Sequence, residues 1–373
     1  MSDICAHVAG MTGNVAIVEG FPGVAKSAKQ VAFYTEARGF WQHTLPVTSL
    51  IPEDFIGLQF PVDGMVKTLA PQLVTDAWAA HNRGLIPVIL LDEFKSCSAM
   101  VFAVCLRLLQ ERSMGPHKLP PTTLFFGTCN PADIAANGNE FPMPIANRVG
   151  HFSCDVDLGA WQQGIMNGFP DPEWPMLPDN WGTFKRESIL QVVAYTRARP
   201  EQANMPPTKA AEQSGPYPSF RSFTNLATAN AGLISLGMFE DYGHEMAQAF
   251  VGQAVGGEFM TYITNLDLRS PQECWNLGSN YTIPSTGDRQ YAELNSMTAA
   301  LVRDITPKNF ADTWAVIEAA AKQGASAEAA GCCPVVIKEV YAKKTRTPEE
   351  KDYKIPKSAL KTFAPILKES GII

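Results

Sequence analysis

The stretch VAIVEGFPGVAKSAKQ, residues 15–30, constrains this chain more than any other. Its apolar run Val15–Val18 leads into a turn carrying Gly20 and Gly23, and the turn leads into Lys26 and Ser27. A buried strand that delivers such a turn to a helix N-terminus aims backbone N–H groups at one point, which suits phosphate oxygens. The pattern departs by one letter from G-x-x-x-x-G-K-[ST], because Ala25 stands where the second glycine is usual. The extra methyl fits if φ at residue 25 stays negative, as in the first turn of a helix. At positive φ it costs on the order of 1 kcal/mol. On this reading Gly20, Phe21, Pro22, Gly23, Val24 and Ala25 form the turn. Lys26 faces the β- and γ-phosphates of ATP, and Ser27 offers a hydroxyl to Mg²⁺. A glycine-rich turn without a ligand is the alternative that the motif alone leaves open.

Further apolar runs at Val88–Leu91 and Leu124–Phe126 have the length and polar borders of strands buried on both faces, with Leu45–Leu50 a weaker candidate. Between them, Val101, Val104, Cys105, Leu108 and Leu109 recur at helical spacing. Alternating strands and helices imply an α/β layer sandwich on a parallel sheet. The sequence divides into an α/β nucleotide-binding core over 1–160, a Pro/Trp-rich connection over 161–183, a helical lid over 184–270 and a C-terminal helical extension over 271–373. A further irregular stretch is expected over 199–218.

Bulk properties narrow the function classes. A net charge of −7 disfavours wrapping of nucleic acid by the whole surface. The start lacks the pattern of a secretion signal, and no apolar run is long enough for a membrane span. The eight cysteines are scattered without zinc spacing, as expected of reduced, packed thiols in the cytoplasm.

Three later segments carry chemistry that would complete a phosphate site. PVILLDEF ends a strand in Asp92 and Glu93. Asp92 can hold Mg²⁺ through its water shell, and Glu93 can act as general base on an attacking water. TTLFFGTCNP ends the next strand at Asn130, an amide able to orient that water or touch the γ-phosphate. Arg148 and Arg221 follow, each with a planar fork suited to phosphate oxygens in the transition state. Singly, each has an ordinary structural explanation. In this order and spacing, they form the set a ring-forming ATPase requires.

Over about residues 6–266 the chain resembles the AAA+ ATPases of the MoxR branch. The resemblance rests on GFPGVAKS, TSLIPEDFIGLQFP, LDEFKSCSAMVFAVCLRLLQERSMG, FGTCNPAD with FPMPIANRVGHF, and PSFRSF. It implies a hexameric ring with ATP at the subunit boundaries. Arg148 would complete a neighbour's site, and Arg221 would sense nucleotide from the lid of its own subunit. Phe220 departs from the proline that commonly precedes that arginine. Alanine before the lysine occurs in some MoxR-like loops, so the resemblance implies an active enzyme. It also implies chaperone-like remodelling of a partner protein, frequently alongside one bearing a von Willebrand factor A domain.

Two other functions stay open: an ATP-gated assembly scaffold with negligible turnover, motivated by Ala25, and a nucleic-acid motor using a hairpin near SMGPHKLPP with His117 and Lys118. The charged run KKTRTPEEKDYK, residues 343–354, reads as a solvated loop.

Overall fold

The computed structural model describes residues 2–369 apart from 64, 135–138, 156, 210–211, 265–268, 326–328, 330, 334–335, 337–339 and 341–352. Residues 343–352 of the charged run lie outside the described residues.

Five strands form the main sheet: β1 (Val15–Glu19), β2 (Phe40–Pro46), β5 (Ile86–Asp92), β8 (Leu124–Cys129) and β9 (Val149–Ser153). Their order is β2-β5-β8-β1-β9, and every pairing is parallel. All side chains of β8 and the first four of β1 are buried, which explains the continuous apolar runs. The β2 strand begins earlier than the Leu45–Leu50 run suggests. Phe40 and Leu45 are buried at its two ends, while Val47–Ser49 turn as a 3-10 helix. The β9 strand had no expectation attached, being short with only Val149, Gly150 and Phe152 buried.

Helices α1 (Ser2–Met11), α2 (Lys26–Phe33), α3 (Pro52–Ile56), α4 (Gln72–Asn82), α5 (Ala99–Glu111), α6 (Met143–Ala146) and α7 (Leu158–Asn167) accompany the sheet. The α5 face buries Val101, Cys105, Leu108 and Leu109 as the spacing predicts, with Phe102 added and Val104 half-buried. Ser98 caps α5 by accepting from Val101 N. Two antiparallel hairpins accompany the sheet: β3 (Gln59–Val62) with β4 (Met65–Thr68), and β6 (Ser113–Met114) with β7 (His117–Lys118). The second is the hairpin expected around SMGPHKLPP.

The remaining helices are α8 (Lys185–Ala198), α9 (Phe220–Ser235), α10 (Phe239–Val251), α11 (Gln253–Thr264), α12 (Pro271–Leu277), α13 (Gly287–Arg303), α14 (Pro307–Lys322) and α15 (Lys357–Glu369). The architecture is thus an α/β phosphate-loop sandwich with a helical C-terminal part.

Chain contacts divide it differently from the sequence boundaries. One compact unit comprises Met1–Asp179 with Gln202–Glu258, and the other Asn180–Glu201 with Phe259–Ile373. Residues 184–270, read from the sequence as one lid, contribute to both units, and α9 and α10 belong to the unit that holds the sandwich. The cause is burial, since Phe223, Leu226, Ala227 and Leu233 turn inward and α9 packs on α1 and α10. Gly232 permits this approach, because a Cβ there would lie 2.7 Å from Thr12 and 2.8 Å from Val8. The second unit has its own core, including Trp275, Tyr281, Met297, Phe310 and Trp314. Within it the buried Glu293 is answered by Arg269 and by the Tyr281 hydroxyl at 2.7 Å.

Candidate nucleotide site

The turn after β1 is pinned from both sides. Gly20 N donates to Cys129 O of β8, and Cys154 N after β9 donates to Glu19 O. Gly20 is required by closeness, since a Cβ there would sit 2.5 Å from the Cys154 carbonyl oxygen. Gly23 is required by conformation, with φ at +85°. Of the two backbone alternatives at Ala25, the positive-φ one is realised. The residue sits at φ 63°, ψ 27°, in the left-handed region, immediately before α2. The loop therefore keeps a glycine-type backbone and carries the methyl at a conformational cost.

Around this turn the structure gathers residues from three strand ends. A cavity of about 330 Å³ is lined by Pro22, Gly23, Ala25, Lys26 and Ser27, by Asp92 and Glu93, and by Thr128 and Asn130. The Lys26 ammonium donates to Gly20 O at 2.7 Å, Phe21 O at 2.8 Å and Asn130 Oδ1 at 3.1 Å. Burial pulls it below the ordinary lysine pKa, against the nearby Asp92 and Glu19 carboxylates. Ser27 Oγ donates to Asp92 Oδ1 at 2.6 Å, and the Thr128 hydroxyl donates to the same oxygen. Gly20, Phe21 and Val24 shape the turn without lining the cavity, and the Phe21 ring is exposed.

No cluster of three or more His, Cys, Asp or Glu side chains suited to a metal exists among the described residues. Ser27 and Asp92 are nonetheless the donors that Mg²⁺ takes when phosphates and water supply its other ligands. Their direct hydrogen bond puts hydroxyl and carboxylate oxygens side by side, so the donor set fits that ion.

Glu93 follows Asp92 at φ 55°, ψ 41°, another left-handed residue, and its side chain is exposed at the cavity. This kink breaks strand alternation, so adjacent acids reach different places. Thr128 escaped sequence reasoning. Its signal was available, because it lies two residues before Asn130 and residues two apart share a strand face.

Arg148 and Arg221 lie elsewhere. They line a separate depression with Gly13, Asn14, Val15, Gln110 and Asn225. Arg148 directly precedes β9, whose first residue pairs with Val15, the first residue of β1. The phosphate turn follows the last residue of β1, roughly 13 Å along the strand. Arg148 donates to Gln110 Oε1 at 2.7 Å and to Pro144 O at 2.5 Å. Arg221 donates to Asn147 Oδ1 at 3.3 Å. Burial and the neighbouring Arg221 charge together lower the Arg148 pKa. The resemblance implies that Arg221 senses nucleotide from the lid of its own subunit; here it lies in the first turn of α9 and shares the depression with Arg148.

No protein-family model and no curated protein matches this sequence. Among solved structures, a "putative ATPase" from Cytophaga hutchinsonii is similar at a TM-score of 0.39 and 16% identity, over 70% of this chain and 78% of that one. No helix among the described residues is long and apolar enough to cross a membrane.

Proposed function

We propose that this chain is an ATP hydrolase of the AAA+ class, close to its MoxR branch, working at the subunit boundaries of a ring to remodel a partner protein. The observation that carries the proposal is the convergence of Lys26, Ser27, Asp92, Glu93, Thr128 and Asn130 on one cavity. The turn amides and Lys26 hold the β- and γ-phosphates. Mg²⁺, held through Ser27 and Asp92, would neutralise charge on the transferring phosphoryl group. Glu93 takes a proton from the attacking water as its oxygen bonds to the γ-phosphorus. The bridging P–O bond breaks, and its electron pair leaves on the β-phosphate oxygen of ADP. Asn130 positions that water or the γ-phosphate.

Among the described residues lining the cavity Lys26 is the one cation, and a second would meet the transition-state charge. Arg148 and Arg221, at the far end of β1, form a positive pair that a neighbouring copy could present there. Both are then assigned to the neighbour's site, which makes hydrolysis depend on assembly. Remodelling, a hexameric ring and a von Willebrand factor A partner rest on the sequence resemblance alone.

A second reading, a nucleotide-gated scaffold, is favoured by the cost carried at Ala25. Steady-state ATP hydrolysis of the wild type beside Glu93→Gln, with binding measured on both, separates the two. Turnover by the wild type, with binding but a loss of about 10²-fold or more in turnover in Glu93→Gln, supports the hydrolase. Binding without turnover in either protein supports the scaffold.

A further inference from the structure

Lys95 lies two residues beyond Glu93, in the 3-10 turn Phe94–Ser96. Its side chain is only 7% exposed, unusual for a lysine so near a strand end. The ammonium stands 2.7 Å from Glu19 Oε2 and 3.5 Å from Glu140 Oε2, with the Phe141 ring beneath it. Burial alone would lower its pKa, but the Glu19 and Glu140 carboxylates raise it above the ordinary lysine value, so it stays charged.

The placement of its partners gives this ion pair a consequence. Glu19 is the last residue of β1, adjacent to Gly20, and pairs in register with Cys129, the residue before Asn130. The Cys129 thiol also approaches the same Glu19 carboxylate oxygen, at 3.8 Å. Glu140 is fastened in turn by the Ser214 hydroxyl, which accepts from Phe141 N. One ammonium thus joins the root of the phosphate turn to the segment that starts at Glu93. The backbone at Glu93 is left-handed, a conformation that persists only where its surroundings enforce it. The described bond at Glu93 itself is a backbone one, its carbonyl accepting from Ser96 N at 2.8 Å.

We infer that Lys95 is a positioning residue for the hydrolysis step, holding the Glu93 backbone in register with the phosphate turn through Glu19. The inference rests on the hydrolase reading above and adds to it a residue that touches neither nucleotide nor water. Loss of Lys95 displaces the base and leaves the phosphate cradle in place, so turnover falls while nucleotide binding persists.

The test compares wild type, Lys95→Arg, and the double variant Lys95→Met/Glu19→Gln, which removes both charges of the 2.7 Å pair and leaves Glu140, more than half exposed, with its Ser214 hydrogen bond. Each is measured for thermal unfolding, Mg-ATP binding, kcat, and amide exchange over residues 20–23 and 93–97. The expected result is a folded double variant that binds Mg-ATP within about threefold of wild type. Its kcat is about 10²-fold lower, as for a misplaced catalytic group. Exchange over 93–97 is at least about tenfold faster, and Lys95→Arg recovers most of both losses. Unchanged kcat and unchanged exchange in the double variant would overturn the inference, as would parallel loss of binding and turnover. A wild type that never turns over, with exchange still responding as stated, would refute the hydrolase reading and leave the positioning contact standing.

Discussion

Ala25 and Glu93 share a property no sequence pattern displays: each is a non-glycine residue with a left-handed backbone, and each lines the same cavity. Such conformations cluster where function enforces them. At residue 25 the cost is removable, because glycine adopts φ near 63° without it. Ala25→Gly should therefore stabilise the chain by about 1 kcal/mol, seen as a higher urea midpoint at unchanged slope. A lower midpoint would mean that the methyl makes contacts worth more than the strain. His7 offers a second residue-scale prediction. It is fully buried, its Nε2–H donates to Pro175 O, and its Nδ1 accepts from the Tyr34 hydroxyl, both at 2.8 Å. Burial lowers its pKa from 6.5 to about 4, so the unfolded chain takes up the proton first. The associated stability is complete above pH 6.5 and is lost as pH falls towards 4, by roughly 3 kcal/mol in total. Urea midpoints recorded from pH 7 to 4 should fall less steeply for His7→Gln than for wild type.

Elements were legible in proportion to how fully they are buried. The β1, β5 and β8 strands announce themselves as apolar runs because both faces are covered, and α5 because one face is. The β2 strand was displaced and β9 missed for the same reason reversed, since each has side chains that are only partly buried. The phosphate half of the candidate site was legible because its residues sit at the ends of the obvious strands. The depression that Arg148 and Arg221 share was not legible, since it depends on α9 folding back across a long loop. Lys95 was hidden too, because its meaning lies in Glu19 and Glu140, far away in sequence. The junction of β1 with its turn gives the test at this scale. A Cβ at residue 20 meets the backbone oxygen of Cys154, so Gly20→Ala must part β1 from β9 just where the turn starts. The variant should lose about 1–3 kcal/mol of stability and at least about tenfold in ATP affinity, by urea titration and equilibrium binding.

For the molecule as a whole, the proposal turns on two groups of residues that lie at opposite ends of one strand. Lys26, Asp92, Glu93 and Asn130 gather beyond the carboxyl end of β1, while Arg148 and Arg221 stand beside its first residue. Within one copy the two groups line separate depressions. A ring of copies joined head to tail can bring them together, because each interface then presents the end of one molecule to the start of the next. The measurement that tests this most directly mixes two inactive variants, Glu93→Gln and Arg148→Ala, and follows ATP hydrolysis. An interface in which the Arg148→Ala copy holds the nucleotide and the Glu93→Gln copy supplies the arginine is intact in every functional group. Random mixing in equal amounts makes about a quarter of interfaces of this kind, so the mixture should recover up to about a quarter of wild-type activity. Arg148→Ala hydrolysing ATP at the wild-type rate, or mixed rings that assemble yet stay as inactive as either variant alone, would contradict the account.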